Sequence, residues 1–247
     1  MSQTDLNSRY IKGLVTIILP TYNRYEFLLH AIRSCLNQTY PNIEVIVVDD
    51  ASTDPRYTDG SLETFPKTTI VRLPINQRKK YNTDAAQGMT RQEGVLIARG
   101  EWIAFLDDDD FFYPTKLEEQ LIAMKTTTPP SLFCSTNMER VHHHEITTEA
   151  THMESKGLYF PLNSLPPFFT SELIHYTNYI NNSTVIIHRE IVDKVGSFHP
   201  IPYEDWDYWK RSLKYTHCLY LDRPLVYYTV SADPAIRSKN YRYPDSQ

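Results

Sequence analysis

The chain has 247 residues, 41% hydrophobic and 22% charged, with a net charge of -5. That length fits one large α/β domain with a substantial core, and the charge balance gives no basis for general nucleic-acid binding. No window approaches the ~20 apolar residues that span a bilayer, and the opening "MSQTDLNSRYIKG" lacks the apolar core of a signal peptide. A cytoplasmic protein is expected, with no transmembrane segment and any membrane contact peripheral. Cys35, Cys134 and Cys218 are an odd, widely spaced set without a CxxC pair, which fits a reducing compartment better than a disulfide scaffold or a cysteine zinc site. The 18 tyrosines against 7 glycines lean toward stacking surfaces, although core packing consumes aromatics too.

From Val15 onward, short β-branched runs alternate with helical patterns, which predicts βαβ units and a mostly parallel central sheet flanked by helices. "VTIILP" reads as the first strand, followed by a helix over residues 25–38 in which Leu28, Ile32, Cys35 and Leu36 recur at helical spacing. "IEVIVVDD" and "TTIVRLP" are the second and third strands. A helical stretch over residues 83–99 precedes "WIAFLDD", the fourth strand. A helix over residues 114–125 leads to the strand "SLFCST", and residues 138–181 read as a loop-rich or hairpin insertion. "STVIIH" returns as a strand, "REIVDKVGSF" as a short helix ending at Gly196, and "YEDWDYWKRSLKY" as another helix. "HCLYLDRPLVYY" resembles paired short strands, and a polar tail follows Val230.

Open parallel sheets bind ligands at the carboxyl ends of their strands, so "PTYNR", "DDASTD" and "DDDD" are expected to meet on one edge. Four adjacent aspartates, residues 107–110, are tolerated when solvated or when they share a counter-charge. A hard divalent cation such as Mn2+ or Mg2+ supplies that charge and keeps positions for water or phosphate oxygens. The plainer reading is a solvated turn before the helix at Pro114; the position at a strand's carboxyl end favours the metal. In "PTYNR" and "VVDDASTD", Tyr22 could stack on a flat base and Asp50 could accept from a ring N–H. Equally, Asn23 could start the helix and residues 52–54 could form a turn. In "EDWDYWKR", Trp206, Trp209 and Leu213 share a helical face, with Glu204 and Asp205 at the N-terminus. That pair serves either as helix-end electrostatics or as a carboxylate base aimed into a cleft. His142, His143 and His144 do not share a face and read as loop rather than metal ligands. "QRKK" could meet phosphates but reads more simply as an exposed basic loop, and Arg91 could pair with a diphosphate or with a sheet-edge carboxylate.

Taken together, "VTIILPTYNR", "LNQTYPNIEVIVVDDASTD", "ARGEWIAFLDDDDFFYPTKLE", "NNSTVIIHREIVDKVGSF" and "YEDWDYWKR" resemble the inverting glycosyltransferases of family 2, over roughly residues 14–230. The resemblance implies a Rossmann-like GT-A fold in a single domain over residues 1–247. Its nucleotide-sugar-binding half would cover about 14–125, its acceptor half about 126–230, and a C-terminal tail 231–247. It implies that Pro20, Tyr22 and Asn23 form the donor-binding turn, with Tyr22 stacked on the base and Asp50 hydrogen-bonded to it beside Asp49. Asp107 and Asp109 match the outer residues of the family's DxD motif. Asp109 would be the most direct metal ligand, and Asp107 would face the donor ribose while contributing to the metal site. Asp108 fills the variable middle place and Asp110 a frequent extra acid. Asp205 falls where the family places its base, beside Glu204, and Arg91 is matched to a family arginine that meets the donor.

The implied partners are a nucleoside-diphosphate sugar, usually a UDP-sugar, and a glycan, lipid-linked or protein-linked acceptor, with no nucleic acid. Asp205 would take the proton of an attacking hydroxyl, and one displacement would invert the anomeric centre. The segment "NQRKKYNTDAAQGMTRQEG" departs from the family's compact "N-x-G-x-x-x-A-R-N-x-G". A sugar nucleotidyltransferase would carry a glycine-rich loop where "PTYNRYE" has no glycine. An aspartate-nucleophile phosphatase would place its acids after the first strand. An inactive nucleotide-sugar or glycan binding module fits poorly with retention of both Asp109 and Asp205.

Overall fold

The computed structural model describes residues 10–230, without the side chains of His144 and Glu145; the tail 231–247 lies outside the described residues. Strands β1 (Ile11–Thr21), β2 (Ile43–Asp49), β3 (Thr68–Arg72) and β4 (Gly100–Phe105) pair in parallel in the order β3-β2-β1-β4. Every residue of β2 is buried, as expected for a Val/Ile run covered on both faces. Strand β9 (Ile186–His188) is antiparallel to both β4 and β6 (Phe133–Ile146), and so joins the two halves of one sheet. Beyond β6 lie β10 (Cys218–Thr229) and β5 (Phe111–Phe112), while β7 (Thr151–Leu158) pairs with β6 and β8 (Phe168–Phe169) with β10.

The period of two along β1 separates two cores. Ile17 and Leu19 face helix α1 (Tyr25–Leu36) and helix α4 (Lys116–Thr126), packing with Leu28, Ile32, Cys35, Leu117 and Leu121. Ile18 faces the other way, toward α3 (Gln87–Ile97), α5 (Arg189–Val195) and α6 (Glu204–Ser212), with Val95, Ile191, Tyr208 and Trp209. Each fully buried isoleucine contributes about 1.5–3 kcal/mol. Two glycines permit close approach on this second face. A Cβ at Gly94 would lie 2.6 Å from Ile18 Cγ2, and one at Gly88 would lie 2.6 Å from Glu204 Cγ.

Three expectations change. The helix over 83–99 starts only at Gln87, because a separate short helix α2 (Gln77–Tyr81) ends in left-handed Asn82, and Thr83 then turns the chain by accepting Ala85 N–H. Residues 138–181 are the expected hairpin in their first part, where His142, His143 and His144, read as loop, lie on a strand, and mostly turn and loop from 159 onward. "SLFCST" continues as the 14-residue β6, which turns back as β7; its weak periodicity reflects an exposed partner strand, since β7 buries little. "HCLYLDRPLVYY" is one strand rather than two, broken in register around Pro224, which cannot donate to the ladder.

Candidate active site

The parallel register aligns Thr21 with Asp49, and Leu106 N–H makes the next bond to Ile18 O, so the three polar strand ends share one edge. Asn23 does not cap α1. It is left-handed, its Oδ1 accepts from Thr53 N (2.9 Å) and Asp54 N (3.2 Å), and its own N–H donates to Ser52 Oγ. That side chain clasps the turn after β1 to the turn after β2. Asp49 Oδ1 accepts from Ser52 N, and both Asp49 and Asp50 are buried. Asp50 accepts from Gln77 N (2.7 Å) and Asn76 Nδ2 (3.0 Å), and burial raises its pKa. Pro20 lies in β1 opposite Val48, and Tyr22 stands at the mouth of this turn, 44% exposed.

The four aspartates after β4 alternate in direction. Asp108 turns inward to Thr21 Oγ1 (2.8 Å) and Arg24 Nη1 (3.1 Å), and Asp110 turns inward to Ser183 Oγ (2.6 Å) and Thr229 N (3.0 Å). Asp107 and Asp109 keep 30% and 28% of their side chains exposed, each tied to one arginine: Asp107 to Arg91 Nη2 (2.5 Å) and Asp109 to Arg24 Nη1 (2.7 Å). Burial pushes Asp109 up to about 6 against the pull of Arg24, and raises Asp110 well above the usual carboxylate range.

Arg91 is buried and does not reach outward. Its Nη1 donates to Glu204 Oε1 (3.1 Å), so one guanidinium joins the acidic strand end to the start of α6. Asp205 is buried beside it, with Oδ1 accepting from Trp206 N (2.7 Å) and Oδ2 from Asn178 Nδ2 (3.1 Å). Burial, reinforced by the Glu204 charge, pushes its pKa up to about 7; the Trp206 N–H and Arg91 oppose this and lose. Tyr203, Asn23 and Ala51 all hold left-handed backbone around this edge, the kind of local strain that collects at functional sites.

Arg24, Asn178, Ser183 and Thr229 were not singled out from sequence as site residues. Arg24 and Ser183 stand inside quoted motifs, and for Arg24 an arginine facing an acidic run was the available signal; Asn178 and Thr229 come from segments without distinctive patterning. His143 is structural. Its ring nitrogens meet Thr151 Oγ1 and Thr229 Oγ1, and burial lowers its pKa to about 4. The "QRKK" segment is not loop but most of the short helix α2, with Gln77 buried and the exposed Arg78 and Lys79 lining a shallow cavity of about 370 Å³ with Asn82, Thr83 and Asp84.

Residues 16–166 match the sequence profile described as Glycosyl transferase family 2. The chain belongs to glycosyltransferase family 2. It is 29% identical over 220 residues to an uncharacterized glycosyltransferase of Haemophilus influenzae, covering 83% of this chain and 76% of that one. A UDP-Glc:α-D-GlcNAc-diphosphoundecaprenol β-1,3-glucosyltransferase of Escherichia coli is 32% identical over 196 residues, covering 79% and 68%. The crystal structure of S. aureus TarS 1-349 in complex with UDP-GlcNAc superposes with a TM-score of 0.69 at 21% identity, covering 91% of this chain and 60% of that one. The family 2 fold is therefore the expected GT-A α/β architecture. No helix among the described residues is long and apolar enough to cross a membrane.

A family 2 metal site can be tested against these side chains. Among the described residues no group of three or more His, Cys, Asp or Glu is arranged to enclose an ion. Asp107 and Asp109 suit a hard divalent cation that takes one or two carboxylates from protein and the rest from water and phosphate, because both are partly exposed in the turn that follows β4.

Proposed function

We propose that this chain moves a sugar from a UDP-sugar to an acceptor hydroxyl with inversion, assisted by Mn2+ or Mg2+ and with Asp205 as general base. The observation that carries this reading is the Arg91 bridge. It links Asp107, at the end of the acidic strand, to Glu204, next to a buried carboxylate whose pKa is about 7. A proton acceptor matched to neutral pH thus stands beside the carboxylates suited to a diphosphate-bound cation.

Tyr22 offers its exposed face to the base, and Asp50, fixed by Asn76 and Gln77, accepts from its ring N–H. A divalent cation, when bound by Asp109 with Asp107, would supply the charge that stabilises the departing diphosphate. Arg91 holds Asp107 in place toward the ribose rather than meeting the donor itself. Asp205, oriented by Trp206 N–H and Asn178, takes the proton from the acceptor oxygen as that oxygen attacks the anomeric carbon. Glu204 keeps the affinity of Asp205 for that proton high. A single displacement inverts the sugar, in keeping with the β linkage in the E. coli relative's name.

Residues 14–125 form the donor half and 126–230 the acceptor half of one domain in this reading. The E. coli relative supports a lipid-linked acceptor, which would require only peripheral contact with the membrane. Its UDP-Glc donor and the UDP-GlcNAc bound to TarS support uracil as the base.

The test is thermal stability with UDP, GDP and dTDP, each with Mn2+, Mg2+ or chelator, followed by UDP release and anomeric NMR with UDP-sugars. A metal-dependent rise with UDP alone, followed by a product of inverted configuration, is expected. Stabilisation that ignores metal, or product with retained configuration, would overturn the reading.

A further inference from the structure

Arg24 flanks the start of α1 but makes no side-chain cap for that helix; its backbone N–H goes to Tyr57 Oη (2.9 Å). The guanidinium crosses instead to the acidic strand end, where the single nitrogen Nη1 serves both Asp108 (3.1 Å) and Asp109 (2.7 Å). Its Nε and Nη2 have no hydrogen-bond partner among the described residues, and 37% of the side chain is exposed. The two carboxylates differ in freedom. Asp108 is buried and also held by Thr21 Oγ1, whereas Asp109 is partly exposed and faces the position suited to a divalent cation.

We propose that Arg24 is a switching counter-cation: it neutralises Asp109 until a divalent ion is taken up, then turns its free guanidinium edge to the donor's diphosphate while remaining anchored to Asp108. The inference rests on the metal-assisted transferase reading above. Three features carry it. A unit cation and a divalent cation cannot share one carboxylate without repulsion. The Asp108 contact keeps the arginine within reach after it leaves Asp109. The unused Nε and Nη2 form the planar fork that matches phosphate oxygens in pairs. Arg24 thereby opposes binding of the ion alone and favours binding of ion and nucleotide together, a reciprocal coupling between the two ligands.

Calorimetric titration of the full chain with Mn2+ alone, and with UDP in saturating Mn2+, tests this in the wild type, R24M and R24K, with thermal melts to verify folding. R24M should bind Mn2+ alone about tenfold more tightly, the scale of repulsion between a unit and a double charge roughly 5 Å apart in water. It should bind UDP in Mn2+ about tenfold more weakly, as expected for loss of a charge-assisted phosphate contact. R24K keeps the charge and should stay near wild type for Mn2+ while losing part of the UDP affinity. R24Q replaces R24M in the same titrations should R24M fail to fold. Mn2+ affinity within twofold of wild type in the neutral variant, or undiminished UDP affinity, overturns the Arg24 switch and leaves the transferase reading intact. A wild type with no Mn2+-dependent UDP binding would instead remove the metal-assisted UDP-donor reading, and the Arg24 role with it.

Discussion

Replacing Asp205 with asparagine tests the proposed base and its environment together. The side chain is buried, and its pKa rises from 3.8 in an unfolded chain to about 7 in the fold. The native state therefore holds the proton more tightly than the unfolded state, so the contribution of Asp205 to stability falls as pH climbs from about 4 to about 7 and is flat above. Roughly three pKa units correspond to about 4 kcal/mol at most, and relaxation around the Glu204–Arg91 pair brings the expected value nearer 2 kcal/mol. The asparagine side chain carries no charge and has no such penalty. Its amide loses the bond that Asp205 Oδ2 accepts from Asn178, at a pH-independent cost of about 1 kcal/mol. D205N should therefore match or fall slightly below wild type at pH 4.5 and gain relative stability up to pH 8, a relative shift of about 4–8 °C in Tm for a chain of this size. Differential scanning calorimetry at half-unit pH steps reads this directly. A difference between the two proteins that stays constant from pH 4.5 to 8.5 would refute the raised pKa. Transfer by D205N should fall at least a hundredfold while UDP binding persists; near-normal transfer would remove Asp205 as the base.

Asp109→Ala should abolish the Mn2+-dependent part of UDP stabilisation, seen as loss of the chelator-sensitive shift in Tm. Gly88→Ala places a methyl 2.6 Å from Glu204 Cγ and 3.0 Å from Phe198, so it should cost about 1–3 kcal/mol and lower kcat more than donor affinity. Lys116 is fully buried, bonded to Gln120 Oε1 (2.8 Å) and set over the Phe112 ring, and burial lowers its pKa to about 7. A depressed lysine destabilises the fold most at pH values below 7 and progressively less as pH rises toward 10. K116M should therefore gain on wild type at pH 6, with that advantage shrinking by about 2–3 kcal/mol at pH 9 in urea melts. An advantage independent of pH would mean the lysine is not neutral in the fold.

Much of the scaffold was legible because local pattern and tertiary environment agree. The short β-branched run from Ile43 to Val48 reads as a covered strand and is one, and the parallel alternation from Val15 to Leu106 brings three polar strand ends to one edge. The long β6–β7 hairpin was less legible, because an exposed strand pairs through backbone and leaves little side-chain period to read. Arg91 illustrates the same limit within the site. Sequence left it between a diphosphate and a sheet-edge carboxylate, and folding brings it to two carboxylates 16 and 113 residues away.

The sequence by itself determined which residue types meet at the sheet edge, since strand polarity fixes where "PTYNR", "DDASTD" and "DDDD" emerge. Only the tertiary structure decided how they divide the work. Whether Asp107 and Asp109 face out while Asp108 and Asp110 turn in depends on Arg24, Arg91, Ser183 and Thr229, which arrive from distant segments. The same holds for Asp205: helix position alone favours its charged form, and the burial that reverses this is a property of the packed fold.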